Sequence, residues 1–152
     1  MTIRRAVDVE RPVEDLWEVL KDVRRLPEFS PSTIAVLDAP DRLTHPGQRF
    51  RQVVEVMGRR FESEWEVTDV VPGRRVSIKG SMGPGGRYWL VQEIEPLGPD
   101  RSRFSLTMDY KLPLGPLGRV AGALGVAQRA EREAGEVVEG IKRLVEAGPR
   151  ST

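Results

Sequence analysis

The chain has a single histidine, His45, and no cysteine. A Ser-His-Asp relay would have to run through His45, which falls in a loop before the strand starting at Gln48, and a lone loop histidine reads as solvated. The absence of cysteine rules out disulfides, thiolate chemistry and thiolate-bound metals, and histidine–carboxylate metal spacing is missing too, so neither metal nor cofactor is expected. Glu62, Glu64 and Glu66 look like an acidic set, but strand alternation puts all three on one face, the outer one. Gly83-Pro84-Gly85-Gly86 lacks the Lys-Ser/Thr of a phosphate loop, and GPLGRVAGALG is not the dinucleotide fingerprint. What remains are neutral polar side chains in apolar company: Gln52, Ser63, Tyr88, Gln92 and Tyr110. Groups of this kind orient a ligand or polarise a carbonyl through hydrogen bonds.

The elements that must position them belong to one domain of ordinary composition. With 152 residues, 39% hydrophobic, 31% charged and a formal net charge of +1, the chain can bury a real core. A single domain over residues 1–148, with a short tail at 149–152, is the expectation. Arginine outnumbers lysine about five to one, but often as adjacent pairs (Arg4-Arg5, Arg24-Arg25, Arg59-Arg60, Arg74-Arg75) whose members point to opposite faces of a strand. No basic stripe with interleaved aromatics results, and nucleic acid is not an expected partner. The start, MTIRRAVDVERP, has no apolar signal region, and the longest weakly polar run, Val120 to Ala127, is too short to span a bilayer. A cytoplasmic soluble domain is the reading.

Turn chemistry divides the chain. Ile3 to Val9 reads as a strand, Pro12 opens a short helix with Val13, Leu16, Trp17 and Leu20 inward, and Val23 to Phe29 reads as a second short helix stopped before Pro31. Six strands follow: Ile34 to Asp38, Gln48 to Met57, Arg60 to Val71, Arg75 to Ser81, Arg87 to Glu95 and Arg103 to Leu112. They are separated by Pro46-Gly47, Gly58, Pro72-Gly73, Gly83 to Gly86 and Gly98-Pro99-Asp100. A two-residue turn at Gly58-Arg59 predicts the pairs Val56–Phe61, Val54–Ser63, Gln52–Trp65 and Phe50–Val67. Alternation then turns inward Phe50, Gln52, Val54, Phe61, Ser63, Trp65, Val76, Ile78, Tyr88, Leu90, Gln92, Ile94, Phe104, Leu106, Met108 and Tyr110, while Ser105, Thr107, Asp109 and Lys111 face out.

The last segment, Gly115 to Ala147, reads as one helix of about 33 residues, roughly 50 Å long. Pro116 suits its first turn, and Gly148-Pro149 ends it. Leu117, Val120, Ala121, Leu124 and Ala127 form one apolar stripe. Ala130, Ala134, Val137, Val138, Ile141, Leu144 and Val145 form a second, rotated by roughly a quarter turn. Arg132–Glu136 and Glu139–Arg143 have i,i+4 spacing. Gly118, Gly122 and Gly125 weaken the first half by roughly 3 kcal/mol relative to alanine. They fit either close packing against a neighbour or a loosely held cover over a cavity.

The order β-α-α-β-β-β-β-β-β-α, with "VDVERPVEDLWEVLKDVRRLPEFSP", "FESEWEVTDVVPGRRVSIKG" and "EIEPLGPDRSRFSLTMDYKL" before the long helix, resembles the START-related helix-grip superfamily. The likeness is to its bacterial polyketide cyclase/dehydrase-like and coenzyme-Q-binding-type branch. Phe29 stands where such sequences commonly have tryptophan. The resemblance implies an α+β helix-grip fold: a seven-stranded curved antiparallel sheet, two short helices between strands 1 and 2, and the sheet wrapped around the C-terminal helix with an apolar cavity between. The cavity-lining candidates are the inward residues named above other than Val76 and Ile94, together with Leu117, Ala121 and Leu124. A filled core with satisfied polar groups is the alternative. The expected ligand is a hydrophobic small molecule such as a lipid, quinone or polyketide. The family's members include binders, transporters and enzymes, so a cyclase/dehydrase-like enzyme and an interaction module with a vestigial cavity stand beside a binding or transfer protein. Strand parity puts the mouth at the end carrying Gly58, Gly83 to Gly86 and Pro113 to Gly118. Arg59, Arg87 and Arg119 would form its rim, suited to an anionic head group or transient contact with a membrane surface. The sequence leaves the oligomeric state open.

Overall fold

The computed structural model describes residues 2–56, 58–81, 86–111 and 116–150; for Val56 and 116–126 the description is of the backbone alone. The elements run β1 (Thr2–Val9), α1 (Val13–Leu20), a 3-10 turn (Val23–Arg25), α2 (Leu26–Phe29), β2 (Thr33–Leu37), β3 (Arg49–Val56), β4 (Arg59–Val71), β5 (Arg75–Ser81), β6 (Arg87–Gly98), β7 (Arg101–Lys111) and α3 (Pro116–Ala147). The expected second helix is thus a 3-10 turn running into one short α-turn. Asp22 caps it, accepting the Arg24 N–H at 3.2 Å.

All seven strands form one curved antiparallel sheet in the order β1-β7-β6-β5-β4-β3-β2. The first strand therefore lies beside the last, and β2 lies at the far edge. At about 4.8 Å per strand, the chain must travel roughly 29 Å across the sheet between β1 and β2, and α1 and α2 make that crossing. Register breaks at Thr33/Ala35, Val67/Asp69 and Pro96/Gly98 are bulges of the kind that bend a sheet around a helix.

One pairing differs from expectation. Val56 pairs with Arg59, Val54 with Phe61, Gln52 with Ser63 and Phe50 with Trp65. Only residues 57 and 58 are left for the turn, and Gly58 takes the left-handed φ of +75° that such a turn favours. The slip is two residues, so every side chain keeps its expected face. Ser105 keeps its outward face, paired with Ala6 and Glu93 on the neighbouring strands, but it is buried there.

The C-terminal half of α3 fills the grip. Ala130, Ala134, Val138, Ile141 and Val145 are buried along one stripe, against a core that includes Val9, Leu16, Leu20, Phe29, Phe104 and Leu106. A Cβ on Gly140 would run into the backbone carbonyl of Phe29, so the missing side chain is what lets α2 lie directly on α3. The end of α3 is clasped to the β1–α1 junction. Glu146 accepts the Glu10 N–H at 2.9 Å and the Lys142 ammonium at 2.8 Å, and Arg11 donates to the Glu146 carbonyl at 2.6 Å. Lys142 also donates to the Asp8 carbonyl at 2.7 Å. The anticipated Arg132–Glu136 and Glu139–Arg143 ion pairs do not form; Arg143 instead donates to the Glu139 carbonyl at 3.4 Å. Exposed i,i+4 charges gain too little to hold two long side chains together. The glycines Gly118, Gly122 and Gly125 fall in the part of α3 described by its backbone alone, so the choice between packing and cover lies outside the described residues.

Candidate functional site

The inner face of the sheet is built in rows of directly paired residues. One aromatic row crosses five strands: Phe50 pairs with Trp65, Trp65 with Gly80, Gly80 with Tyr88 and Tyr88 with Tyr110. Gly80 interrupts the row because the Trp65 indole lies over it, where any Cβ would meet the ring. Tyr88 and Tyr110 stack with ring centroids 6.1 Å apart and planes inclined by 29°. Deeper in the grip comes an aliphatic row of Val67, Ile78, Leu90 and Met108, ending on Ile3 of the edge strand. Towards the mouth lie Gln52–Ser63 and then Val54–Phe61.

The polar groups of this face behave in two ways. Around Trp65 they satisfy one another. The indole Nε1 donates to Ser63 Oγ at 2.8 Å, and Ser63 lies 3.5 Å from the Gln52 carbonyl. Thr33 Oγ1 is 3.0 Å from both Gln52 Oε1 and Ser30 Oγ; carrying one proton, it donates to the amide oxygen and accepts from Ser30. The Gln52 amide nitrogen and the whole Gln92 carboxamide are different. Among the described residues neither has a hydrogen-bond partner, and neither is sealed away from open space. Gln92 is only 8% exposed, and its neighbours on this face, Val76 and Leu106 across and Leu90 and Ile94 along the strand, are all apolar.

Most of the expected lining residues meet on this face. Phe50, Gln52, Val54, Ser63, Trp65, Ile78, Gln92, Phe104, Leu106, Met108 and Tyr110 are buried, and Tyr88 and Leu90 are half-buried against them. Phe61 departs from the set: at 38% exposed it sits on the lip rather than inside, as does Ile34 on β2. Arg59 is exposed at the mouth. Arg87 is placed elsewhere: it pairs with Ser81 and Lys111 on the outer face. It lines a groove of about 650 Å³ with Arg51, Glu64, Glu66, Lys79 and Trp89, to which Phe50, Trp65, Gly80 and Tyr88 of the aromatic row also contribute. Two expected outer-face glutamates stand beside that groove in cross-strand ion pairs, Arg51–Glu62 at 2.9 Å and Arg49–Glu66 at 3.0 Å. The side chains of Leu117, Ala121, Leu124 and Arg119 lie outside the described residues. His45 is exposed in the β2–β3 loop, its Nδ1 2.8 Å from Thr44 Oγ1. No group of three His, Asp or Glu suited to a metal occurs among the described residues.

One residue has no counterpart in the sequence reading. Glu133 lies two turns before Gly140 and one turn before Val137, on the flank of α3 that continues from the α2 contact. It is half-buried. Burial pushes its carboxyl above the usual range, with Arg129 one turn earlier opposing and Glu136 adding to the rise. The Tyr88 hydroxyl is raised first by burial and next by the Glu133 charge.

The match to known proteins agrees with this architecture. Residues 1–146 match a family described as polyketide cyclase/dehydrase and lipid transport. No match is found among curated proteins. Among solved structures, the Zhui aromatase/cyclase from Streptomyces sp. R1128 superposes with a TM-score of 0.82 at 20% identity, over 96% of this chain and 93% of that one. The protein TTHA0849 from Thermus thermophilus gives a TM-score of 0.77 at 21% identity, over 97% and 98%. A START superfamily protein from Mycobacterium smegmatis gives 0.66 at 18% identity, over 95% and 94%. At these identities the likeness is one of fold.

Proposed function

Since the chain belongs to the polyketide cyclase/dehydrase and lipid transport family, we propose that it binds or transfers a hydrophobic small molecule between the inner face of its sheet and α3. The observation that carries this reading is Gln92. A carboxamide set among Val76, Leu90, Ile94 and Leu106 without a protein partner costs on the order of 1–3 kcal/mol in a filled core. In a cavity the same group is an orienting contact for a ligand of lipid, quinone or polyketide type. The buried aromatic row supplies apolar contact area, worth roughly 25 cal/mol per Å² removed from water, and Gln52 and Gln92 supply direction. Arg59 beside the exposed Phe61 makes a lip with one cationic and one apolar group, suited to brief contact with an anionic membrane during loading.

Native mass spectrometry of freshly purified protein, followed by organic extraction, tests the proposal. A discrete additional mass of a lipid, quinone or polyketide is expected. A clean apo mass together with no stabilisation by a panel of apolar ligands would remove it and favour an interaction module.

The second reading is a cyclase/dehydrase-like enzyme acting by substrate positioning, favoured by the Tyr88–Tyr110 stack. Tyr88→Phe and Tyr110→Phe separate the two. An enzyme would lose turnover while still binding, whereas a carrier would change affinity by a few-fold only.

A further inference from the structure

Gln52 does more than add polarity to the inner face. We propose that it is a specificity-determining residue of this site: Thr33 and Ser30 hold its amide so that the N–H groups are left for the ligand, selecting one that brings a carbonyl acceptor, such as a ketone or quinone. The inference rests on the cavity reading above and adds the ligand's polar chemistry to it.

The orientation of the amide follows from counting protons. Ser30, Thr33 and Gln52 are all buried, at 8%, 5% and 6% exposed, and Thr33 Oγ1 lies 3.0 Å from both Ser30 Oγ and Gln52 Oε1. In this arrangement the Ser30 hydroxyl donates to Thr33 and the Thr33 hydroxyl donates to Gln52, so both hydroxyl protons are used. With the amide reversed, Gln52 would donate to Thr33 and Thr33 to Ser30. The Ser30 proton and the amide oxygen would then both lack a partner among the described residues, a costly state for buried groups. The latch is itself fixed. Ser30 closes α2, its N–H bonded to the Leu26 carbonyl at 2.8 Å, and the Thr33 N–H returns to the Ser30 carbonyl at 3.0 Å. In turn, α2 rests on α3 at Gly140.

What the latch leaves over is Gln52 Nε2, two donors with no acceptor among the described residues in a deeply buried side chain. Ser63, directly across on β4, already receives the Trp65 indole proton and lies 3.5 Å from the Gln52 carbonyl. The inward neighbours along β3, Phe50 and Val54, are apolar. An acceptor for Nε2 must therefore come with the ligand. Gln92 does not duplicate this role. It lies three strands away on β6, roughly 14 Å across the sheet, and its whole carboxamide is free to take a donor or an acceptor alike.

A matched pair of probes tests the assignment: 2-acetylnaphthalene, which carries a carbonyl, and 2-ethylnaphthalene, of nearly the same shape, which does not. Dissociation constants are measured on the full chain by equilibrium dialysis, and the isotope-labelled carbonyl stretch of the bound ketone by infrared spectroscopy. In the wild type that stretch should lie below its frequency in hexane, the mark of a hydrogen-bonded carbonyl. Gln52→Leu should weaken the ketone about fivefold, leave the hydrocarbon unchanged or tighter, and return the stretch to its hexane position. Thr33→Val removes the latch while keeping Gln52, and should weaken the ketone about threefold with a broadened band. A wild-type stretch at the hexane position, a lowered stretch that persists in Gln52→Leu, or equal effects of that change on both probes overturns the assignment and leaves the cavity standing. If neither probe binds the wild type, the cavity reading fails and this inference with it.

Discussion

Two residues are defined by what they lack. Gly80 has no Cβ because the Trp65 ring occupies that space, and the ring is fixed by its bond to Ser63. Gly80→Ala should therefore cost roughly 1–3 kcal/mol through overpacking, read as a drop in denaturant midpoint with a shift in tryptophan emission; an unchanged midpoint would mean the indole is free to move. Gln92 lacks a hydrogen-bond partner among the described residues. Replacing it by leucine, close in volume, removes the desolvation cost, and Gln92→Leu should stabilise the fold by about 1 kcal/mol while weakening ligand binding. A destabilised variant would show instead that the amide serves the core. The first residue was invisible in the sequence because Gly80 reads as an ordinary strand glycine until β4 lies beside it. The second was legible, since alternation alone turns Gln92 inward.

At the scale of elements, the strands and the long helix followed from period and punctuation. The two-residue alternation of Phe104 to Tyr110 and the Pro116 and Gly148 boundaries needed no tertiary information. The β3–β4 register did, because Gly58 could serve either position of its turn, yet a slip of two left every face intact. The helix was harder. Its stripes marked the core face, but nothing local distinguished Gly140, where α2 docks, from Gly118, Gly122 and Gly125, or Glu133 from its solvated neighbours. Gly140→Ala forces α3 away from the Phe29 carbonyl, and backbone cannot rotate aside as a side chain can. A loss of roughly 1–3 kcal/mol, with faster hydrogen exchange in α1 and α2 than in β6 and β7, is the expected outcome. Uniform exchange would mean that the docking of α2 is dispensable.

For the whole molecule, two glutamates set opposite pH dependences. The Glu133 carboxyl is raised above 4.5, so the folded state binds the extra proton and stability declines as pH rises from about 4.5 through the raised value. Glu133→Gln should thus stabilise the fold at pH 7 and change little at pH 4. The Glu146 carboxyl is lowered by its bonds to the Glu10 N–H and Lys142. Its contribution is present above the ordinary 4.5 and lost as pH falls through the lowered value. Denaturant midpoints measured across pH 3–8 for the wild type and both Glu→Gln variants check both signs. The placing of β1 beside β7 has a further consequence, for synthesis. Asp8 meets Arg103 from 95 residues away, and Arg11 meets the Glu146 carbonyl from 135 away. A chain emerging from the ribosome carries its first strand without a partner until almost all of it has been made. The nascent protein should stay protease-sensitive and chaperone-dependent until its final helix is released, then close in one late step.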